Sequence, residues 1–478
     1  MSELHKNLIN GEWVDGEAAE NINPSNTDDV VGVYARASQA DADAAIAAAK
    51  AAFPSWSRSG LLERHAVLSK TAHEIFARKE ELGELLSREE GKTLAEGIGE
   101  AGRAGQIFEF YAGEALRLTG ETVPSIRPGI GVEMTREAVG PVGIITPWNF
   151  PIAIPAWKMA PAICYGNTVV IKPADLVPGC TWAIVEILHR NGLPKGVLNL
   201  TMGRGSVVGQ ALLDSPDIKA ISFTGSQGTG QRVAEASIKT LRKFQLEMGG
   251  KNPMVVLDDA DLDNAVACAV NGAFFSTGQR CTASSRLVVT EGIHDKFVAA
   301  LSDAVNNLVV DDAVKSGTQI GPVVDQSQLD QDEDYIAIGE KEGAKLAAGG
   351  GRVQRETPGF YLQPALFTEA TNQMRISREE IFGPVASVIK VKDYDEALAV
   401  ANDTEFGLSS GICTTSLKYA TDFKRNAEAG MVMVNVPTAG VDFHVPFGGS
   451  KGSSFGSREQ GKYAAEFFTT VKTAYTLS

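Results

Sequence analysis

Cysteine is scarce in this sequence, and what there is stands apart. The five residues Cys164, Cys180, Cys268, Cys281 and Cys413 form no C-x-x-C pair. That argues against a structural zinc site and a redox dithiol, and no metal site is expected. A large chain with so little cysteine fits a reducing, cytoplasmic compartment. No run reaches the roughly 18 apolar residues of a membrane span. The opening MSELHKNLINGEWVDG lacks the apolar stretch of a secretory leader. Basic excess is missing too: 44 Lys and Arg face 59 Asp and Glu, a net charge of −15. Neither nucleic acid nor an anionic membrane is then expected as the main partner. No internal repeat or low-complexity tract is visible, which removes repeat arrays and extended disorder.

What is present is an ordinary globular composition spread over 478 residues, enough for two large domains or about three smaller ones. Helical spacing is read over Asp41–Phe53, with Pro54 as a stop, over Leu61–Glu90, and over Glu100–Leu118. Short apolar runs then take over at Val142–Ile145, Thr168–Ile171, Val197–Thr201 and Ala220–Phe223, with helical stretches between them. Such alternation predicts a parallel, doubly wound sheet whose strand ends hold ligands. A second alternating series runs through Pro253–Leu257, Leu262–Phe275, Arg286–Val289, Val385–Val391 and Met431–Asn435, and predicts a second α/β domain. Gly349–Gly351 and Thr357–Gly359 mark a surface loop. Ile130–Thr135 and Phe467–Thr476 read as edge strands that pair within the fold or with another subunit.

Several residues sit where such a fold does chemistry. Phe223-Thr-Gly-Ser226, with Gly228 and Gly230, lies between a strand and a helix. It is either a cradle for a phosphate at a helix N-terminus or a plain tight turn. It is not the G-x-G-x-x-G fingerprint, and Gly203-x-Gly205-x-x-x-Gly209 matches that form imperfectly. Lys172 ends a strand and can reach ribose hydroxyls or phosphates. Asp175, three residues on, can accept from a ribose or simply cap a helix, and a free acid there disfavours a 2′-phosphate. Glu247 stands beside Gly249-Gly250 as a placed carboxylate or a surface acid. Cys281 follows a polar, glycine-containing loop, where neighbouring charge can lower a thiol pKa. Cys164, Cys180, Cys268 and Cys413 read as packing residues.

Six segments, in order, carry a resemblance: Thr146-Pro-Trp-Asn-Phe-Pro151, Phe223-Thr-Gly-Ser226, Glu247-Met-Gly-Gly250, Gly278-Gln-Arg-Cys281, Glu380-Ile-Phe-Gly-Pro384 and Pro446-Phe-Gly-Gly449. Together they resemble the aldehyde dehydrogenase superfamily, over essentially the whole chain. The resemblance implies two doubly wound α/β domains and a small β oligomerisation arm. Residues 1–118 and 139–246 would bind the dinucleotide, 247–459 would form the catalytic domain, and 119–138 with 460–478 the arm of a homodimer or homotetramer. It implies Cys281 as the nucleophile that attacks the aldehyde, with the Asn149 amide and the Cys281 N–H holding the oxyanion. Hydride transfer to a nicotinamide leaves a thioester, whose hydrolytic water Glu247 activates. Intact Glu247 argues against release to coenzyme A, and the four polar groups Cys281, Glu247, Asn149 and Lys172 argue against a non-catalytic scaffold.

For the cofactor, NAD first and NADP second, the resemblance implies contacts from Ile145, Thr146, Pro147 and Trp148, and from Lys172, Ala174 and Asp175. It adds Gly205, Phe223, Gly225, Ser226, Thr229 and Gly249, with Glu380 on the ribose and Phe382 along the nicotinamide. Glu459 falls at a position tied to proton traffic. Ser454-Phe455 and Ser457 depart from the commoner residues of that tail, which leaves the relay role open. For substrate, Phe274–Arg286 is similar to the corresponding stretch of α-ketoglutaric semialdehyde (2,5-dioxovalerate) dehydrogenases. Arg280 either pairs with a substrate carboxylate or bonds loop carbonyls. Trp157 and Phe443 would suit an aromatic or aliphatic aldehyde, and succinic semialdehyde is a further alternative.

Overall fold

An eight-stranded sheet and a seven-stranded sheet form the frame of the computed structural model, which describes residues 3–477. The first sheet runs in space Ser454–Phe455, Lys243–Glu247, Ala220–Thr224, Pro141–Ile145, Thr168–Lys172, Leu198–Leu200, Asn7–Ile9, Glu12–Val14. Its five inner strands are parallel, and the outer ones are antiparallel. The chain moves outward from Pro141–Ile145 in one direction and returns on its other side at Ala220–Thr224. The strand order therefore reverses between these two, which is where open α/β sheets bind ligands beyond their carboxyl ends. Thr146 and Gly225 lie at that point.

The second sheet runs Lys345–Ala348, Ala365–Ala370, Val385–Val391, Arg286–Thr290, Pro253–Val256, Ser409–Cys413, Met431–Val434. Only its first pair is antiparallel. Its central strands are buried on both faces, as continuous Val, Leu and Ile runs require. A third, three-stranded sheet pairs Thr469–Leu477 with Ile130–Ala138 along nine residue pairs and adds Glu121–Pro124. Val471, Tyr475 and Leu477 are exposed on it. Among the described residues no helix is long and apolar enough to cross a membrane.

The helices follow their caps. α1 (Gln39–Trp56) starts on a Ser38–Asp41 capping box and continues through Pro54. Pro54 thus lies in the last turn and does not end the helix ahead of it. The stretch expected as one helix over Leu61–Glu90 is two, α2 (Leu61–Ala77) and α3 (Lys79–Glu90), because Arg78 leaves helical geometry at φ −110°, ψ 14°. α4 (Leu94–Glu114) begins six residues before the expected Glu100, since Thr93 and Glu96 form a capping box. It packs against α2, α3 and α5 (Ala153–Cys164). α6 (Pro178–Arg190) and α7 (Gln227–Lys239) flank the first sheet, and α8 (Leu262–Phe274) leads toward Cys281. The N-terminal hairpin Glu17–Asn23/Asn26–Arg36 was not expected. Its first strand, Glu-Ala-Ala-Glu-Asn-Ile-Asn, holds few β-formers and is made by its partner rather than by propensity.

Candidate active site

The loop before Cys281 is held in an unfavourable backbone conformation. Ser276, Thr277 and Gly278 have φ of 51°, 56° and 65°. Left-handed residues other than glycine cost about 1–3 kcal/mol each and persist only where their surroundings dictate them. Here Glu96 Oε1 accepts both the Ser276 N–H (2.8 Å) and its hydroxyl (2.9 Å). Thr277 Oγ1 donates to the Gly321 carbonyl at 3.1 Å. The Gly383 backbone fills the space a Cβ on Gly278 would need. Cys281 emerges partly exposed, whereas the other four cysteines are buried. Its carbonyl is fixed by Asn252 Nδ2 at 2.7 Å. Burial, then the nearby Glu380 and Glu247, push its thiol well above the usual range. The resting group is a thiol, and it needs a base.

Asn149 lies on the turn between Pro141–Ile145 and α5. Its side chain is buried and donates to the Gln279 carbonyl at 3.0 Å, two residues from Cys281. The turn is tied down from α4. Glu100 Oε1 accepts the N–H groups of Ile152 and Ala153, each at 3.0 Å. Its other oxygen holds Lys92 Nζ at 2.9 Å, and Lys92 donates to the Asn149 carbonyl.

Glu247 ends its strand buried, and Ser454 Oγ donates to it at 2.6 Å. Burial, and after it Glu459, raise the Glu247 pKa well above the ordinary carboxylate value, while the Ser454 hydrogen bond lowers it. Glu459 is buried as well: Trp157 Nε1 donates to it at 2.7 Å, and Lys158 donates to its other oxygen. Lys158 also reaches Ser222 Oγ at 2.8 Å, and Ser222 reaches Gln245 at 3.2 Å. A continuous polar track thus runs beneath the strand end.

At the sheet's switch point the Thr146 and Thr224 hydroxyls are buried without a partner. Ser226 precedes α7, and among the described residues its hydroxyl caps no backbone N–H of that helix; it donates to the Thr229 Oγ1 side chain at 3.1 Å instead. The first-turn N–H groups of α7 therefore have no side-chain cap, which fits a phosphate. Phe223 is buried beneath, while Ile145, Pro147 and Ala174 are half-buried and Gly205 is exposed. Lys172 is buried, and burial lowers its pKa. Glu380 Oε1 accepts the Gly250 N–H at 2.7 Å, its carboxyl occupying the space a side chain on Gly249 would take. Burial pushes it up to about 7. Trp148 and Phe382 meet edge to face at 5.3 Å, and Phe382 has φ 63°.

Two expectations need correction. Asp175 is not a free acid: both its oxygens are taken by Arg36, at 3.0 and 2.7 Å. Arg280 is not free for a ligand either. It donates to Glu96 at 3.1 Å and to the Asn271 carbonyl at 3.3 Å, the loop-bonding alternative. Trp157 is buried on Glu459, and Phe443 is half-buried against Phe110, their rings 6.1 Å apart. Glu96, Glu100, Lys92 and Ser454 were not anticipated. Thr93-x-x-Glu96 has the spacing of a capping box and was a usable signal for the first.

Against known proteins, residues 13–474 match the model of the Aldehyde dehydrogenase family. Alpha-ketoglutaric semialdehyde dehydrogenase of Bacillus subtilis is 44% identical over 98% of this chain and 97% of its own length. Alpha-ketoglutarate semialdehyde dehydrogenase of Haloferax volcanii is 44% identical over 99% of each. The crystal structure of betaine aldehyde dehydrogenase from Staphylococcus aureus in complex with NAD+ superposes with a TM-score of 0.96 at 34% identity, covering 99% of this chain and 95% of that one.

Because Glu96 neutralises Arg280 and satisfies the strained loop, Glu96→Ala is expected to loosen residues 275–281 and lower the melting temperature by several degrees, about 2–4 kcal/mol of destabilisation. Hydrogen–deuterium exchange reads this directly. Unchanged protection of that peptide in the variant would show that Glu96 does not hold the loop.

Proposed function

The chain belongs to the aldehyde dehydrogenase family, and we propose that it oxidises α-ketoglutaric semialdehyde to 2-oxoglutarate on Cys281. The observation that carries this is the convergence on Cys281: the Asn149 amide bonded to the Gln279 carbonyl, two residues before it in sequence, and the buried Glu247 beside its loop. The choice of substrate rests on the B. subtilis and H. volcanii relatives, both 44% identical over nearly the whole chain.

In this reading Glu247 takes the Cys281 proton, and the thiolate attacks the aldehyde carbon. The Asn149 amide and the Cys281 N–H stabilise the oxyanion. When bound, NAD supplies the hydride acceptor; its presence in the S. aureus structure supports that choice. Thr146, Lys172, Ser226, Glu380 and the Trp148–Phe382 pair would hold it, with Ile145, Pro147, Ala174, Gly205, Phe223, Gly225, Thr229 and Gly249 shaping the groove. Arg36 cancels the Asp175 charge, so that acid does not exclude a 2′-phosphate. Glu247 passes that first proton on by way of Glu459, which Lys158 holds, toward solvent; it then takes one from the water that hydrolyses the thioester, and Cys281 leaves as thiolate.

The domain ranges we propose are 1–118 and 139–246 for the dinucleotide, 247–459 for catalysis, and 119–138 with 460–478 as an arm. Residues 1, 2 and 478 lie outside the described structure. The exposed Val471, Tyr475 and Leu477 support the arm as the contact in a homodimer or homotetramer, in the cytoplasm. Sedimentation of a chain cut after Phe468 should give a smaller particle; an unchanged mass rejects the arm.

NADH formation from α-ketoglutaric semialdehyde, succinic semialdehyde, benzaldehyde and hexanal tests the substrate, with Cys281→Ala as the blank. The first should lead in kcat/KM, and Cys281→Ala should lose at least about 10⁴-fold. A lead by hexanal or benzaldehyde rejects the substrate and keeps the dehydrogenase. In Ser454→Ala, Glu247 loses the bond that favours its ionised form. Its pKa rises further, so the ascending acid limb of the kcat–pH profile should move to higher pH. A limb that stays, or moves to lower pH, removes Glu247 as the titrating base.

A further inference from the structure

The face of α4 that holds both loops carries one more charge. Arg103 follows Glu96 by seven residues and Glu100 by three, so all three share one helical face. It is the one basic residue of Leu94–Glu114. It is half-buried, and burial lowers its pKa. The charges that oppose this belong to Glu100 and Asp442, yet neither is bonded to it. Glu100 is already filled by the Ile152 and Ala153 N–H groups and by Lys92. Among the described residues the Arg103 guanidinium has neither a hydrogen bond nor an ion pair. Arg280, by contrast, is paired with Glu96 and bonded to the Asn271 carbonyl.

A half-buried guanidinium without a protein partner is open to an anion. This one lies near two defined surfaces. One is the start of α5, three or four residues past the oxyanion donor Asn149, which Glu100 caps from the turn before. The other is the Asp442–Phe443 loop, which the α4 residue Phe110 contacts ring to ring. A carboxylate bound at Arg103 would sit beside Glu100, whose bonds hold the turn that carries Asn149. The five guanidinium donors match a carboxylate bidentately.

We propose that Arg103 is the substrate-carboxylate anchor, so that this enzyme selects aldehydes carrying a carboxylate a few carbons from the reacting carbon. The proposal rests on the reading that the aldehyde reacts at Cys281. It places the role that the sequence left open at Arg280 on a residue that the sequence did not single out.

The test compares wild type, Arg103→Gln and Arg103→Lys with α-ketoglutaric semialdehyde and with hexanal, and measures glutarate binding by calorimetry in each, without cofactor. Arg103→Gln should raise KM for the semialdehyde by about 30-fold or more, lower the semialdehyde-to-hexanal ratio of kcat/KM by a similar factor, and weaken glutarate binding by at least about tenfold. Arg103→Lys should recover part of each. A wild-type preference for the semialdehyde that survives Arg103→Gln within threefold overturns the anchor alone. Equal losses on both aldehydes, with glutarate binding intact, also overturn it, because they mark a structural arginine. A wild type that prefers hexanal overturns the substrate reading and the anchor together.

Discussion

Two carboxylates one helical turn apart on α4 govern the geometry of this site. Glu96 holds the loop that presents Cys281, and Glu100 holds the turn that presents Asn149. They are four residues apart, about 6 Å along the helix. The nucleophile and the oxyanion donor come from opposite sheets; one hydrogen bond, from Asn149 to the Gln279 carbonyl, joins them directly, and the helix braces both loops as a strut. The capping box at Thr93 fixes where that helix begins, and Lys92 pairs Glu100 to the Asn149 carbonyl. A displacement near 1 Å at such a site costs about 10²-fold in rate. Two strained residues ahead of Cys281 are therefore tolerable where the strut over-determines them.

The second constraint is electrostatic. Cys281, Glu247, Glu380 and Glu459 all lie in desolvated surroundings, and like charges oppose one another. The Lys158–Glu459–Ser222 track gives the buried charge a compensating partner. The C-terminal segment supplies the last piece. Phe455 stacks on Phe244 with ring centres 5.1 Å apart, and the Ser454–Phe455 strand adds to the sheet in the register that sets Ser454 opposite Glu247. The Ser454-Phe455 departure from the commoner tail therefore has a structural reason.

Much of this was legible from residues alone. The parallel strands announced themselves as short apolar runs, and their ends carried Thr146, Lys172 and Ser226. Cys281 stood out by its loop, and it is the one partly exposed cysteine. What escaped depends on tertiary pairing. Nothing near Asp175 in sequence points to Arg36, 139 positions away. Arg280 beside a nucleophile invites a ligand, and only the arrival of Glu96 from another element shows that its charge is already paired. The break at Arg78 carries no Gly or Pro, and Arg78 bonds Glu74 and Glu81 on either side. Arg103 looked like any helical arginine, because a missing partner cannot be read from a sequence.

The account stands or falls on the covalent step. Mixing enzyme with aldehyde and NAD, quenching in acid within the first turnover and weighing the protein by mass spectrometry tests it directly. An acyl group on the peptide that contains Cys281, formed in step with NADH, is the expected result. Turnover with no adduct, or an adduct on a different residue, would contradict it.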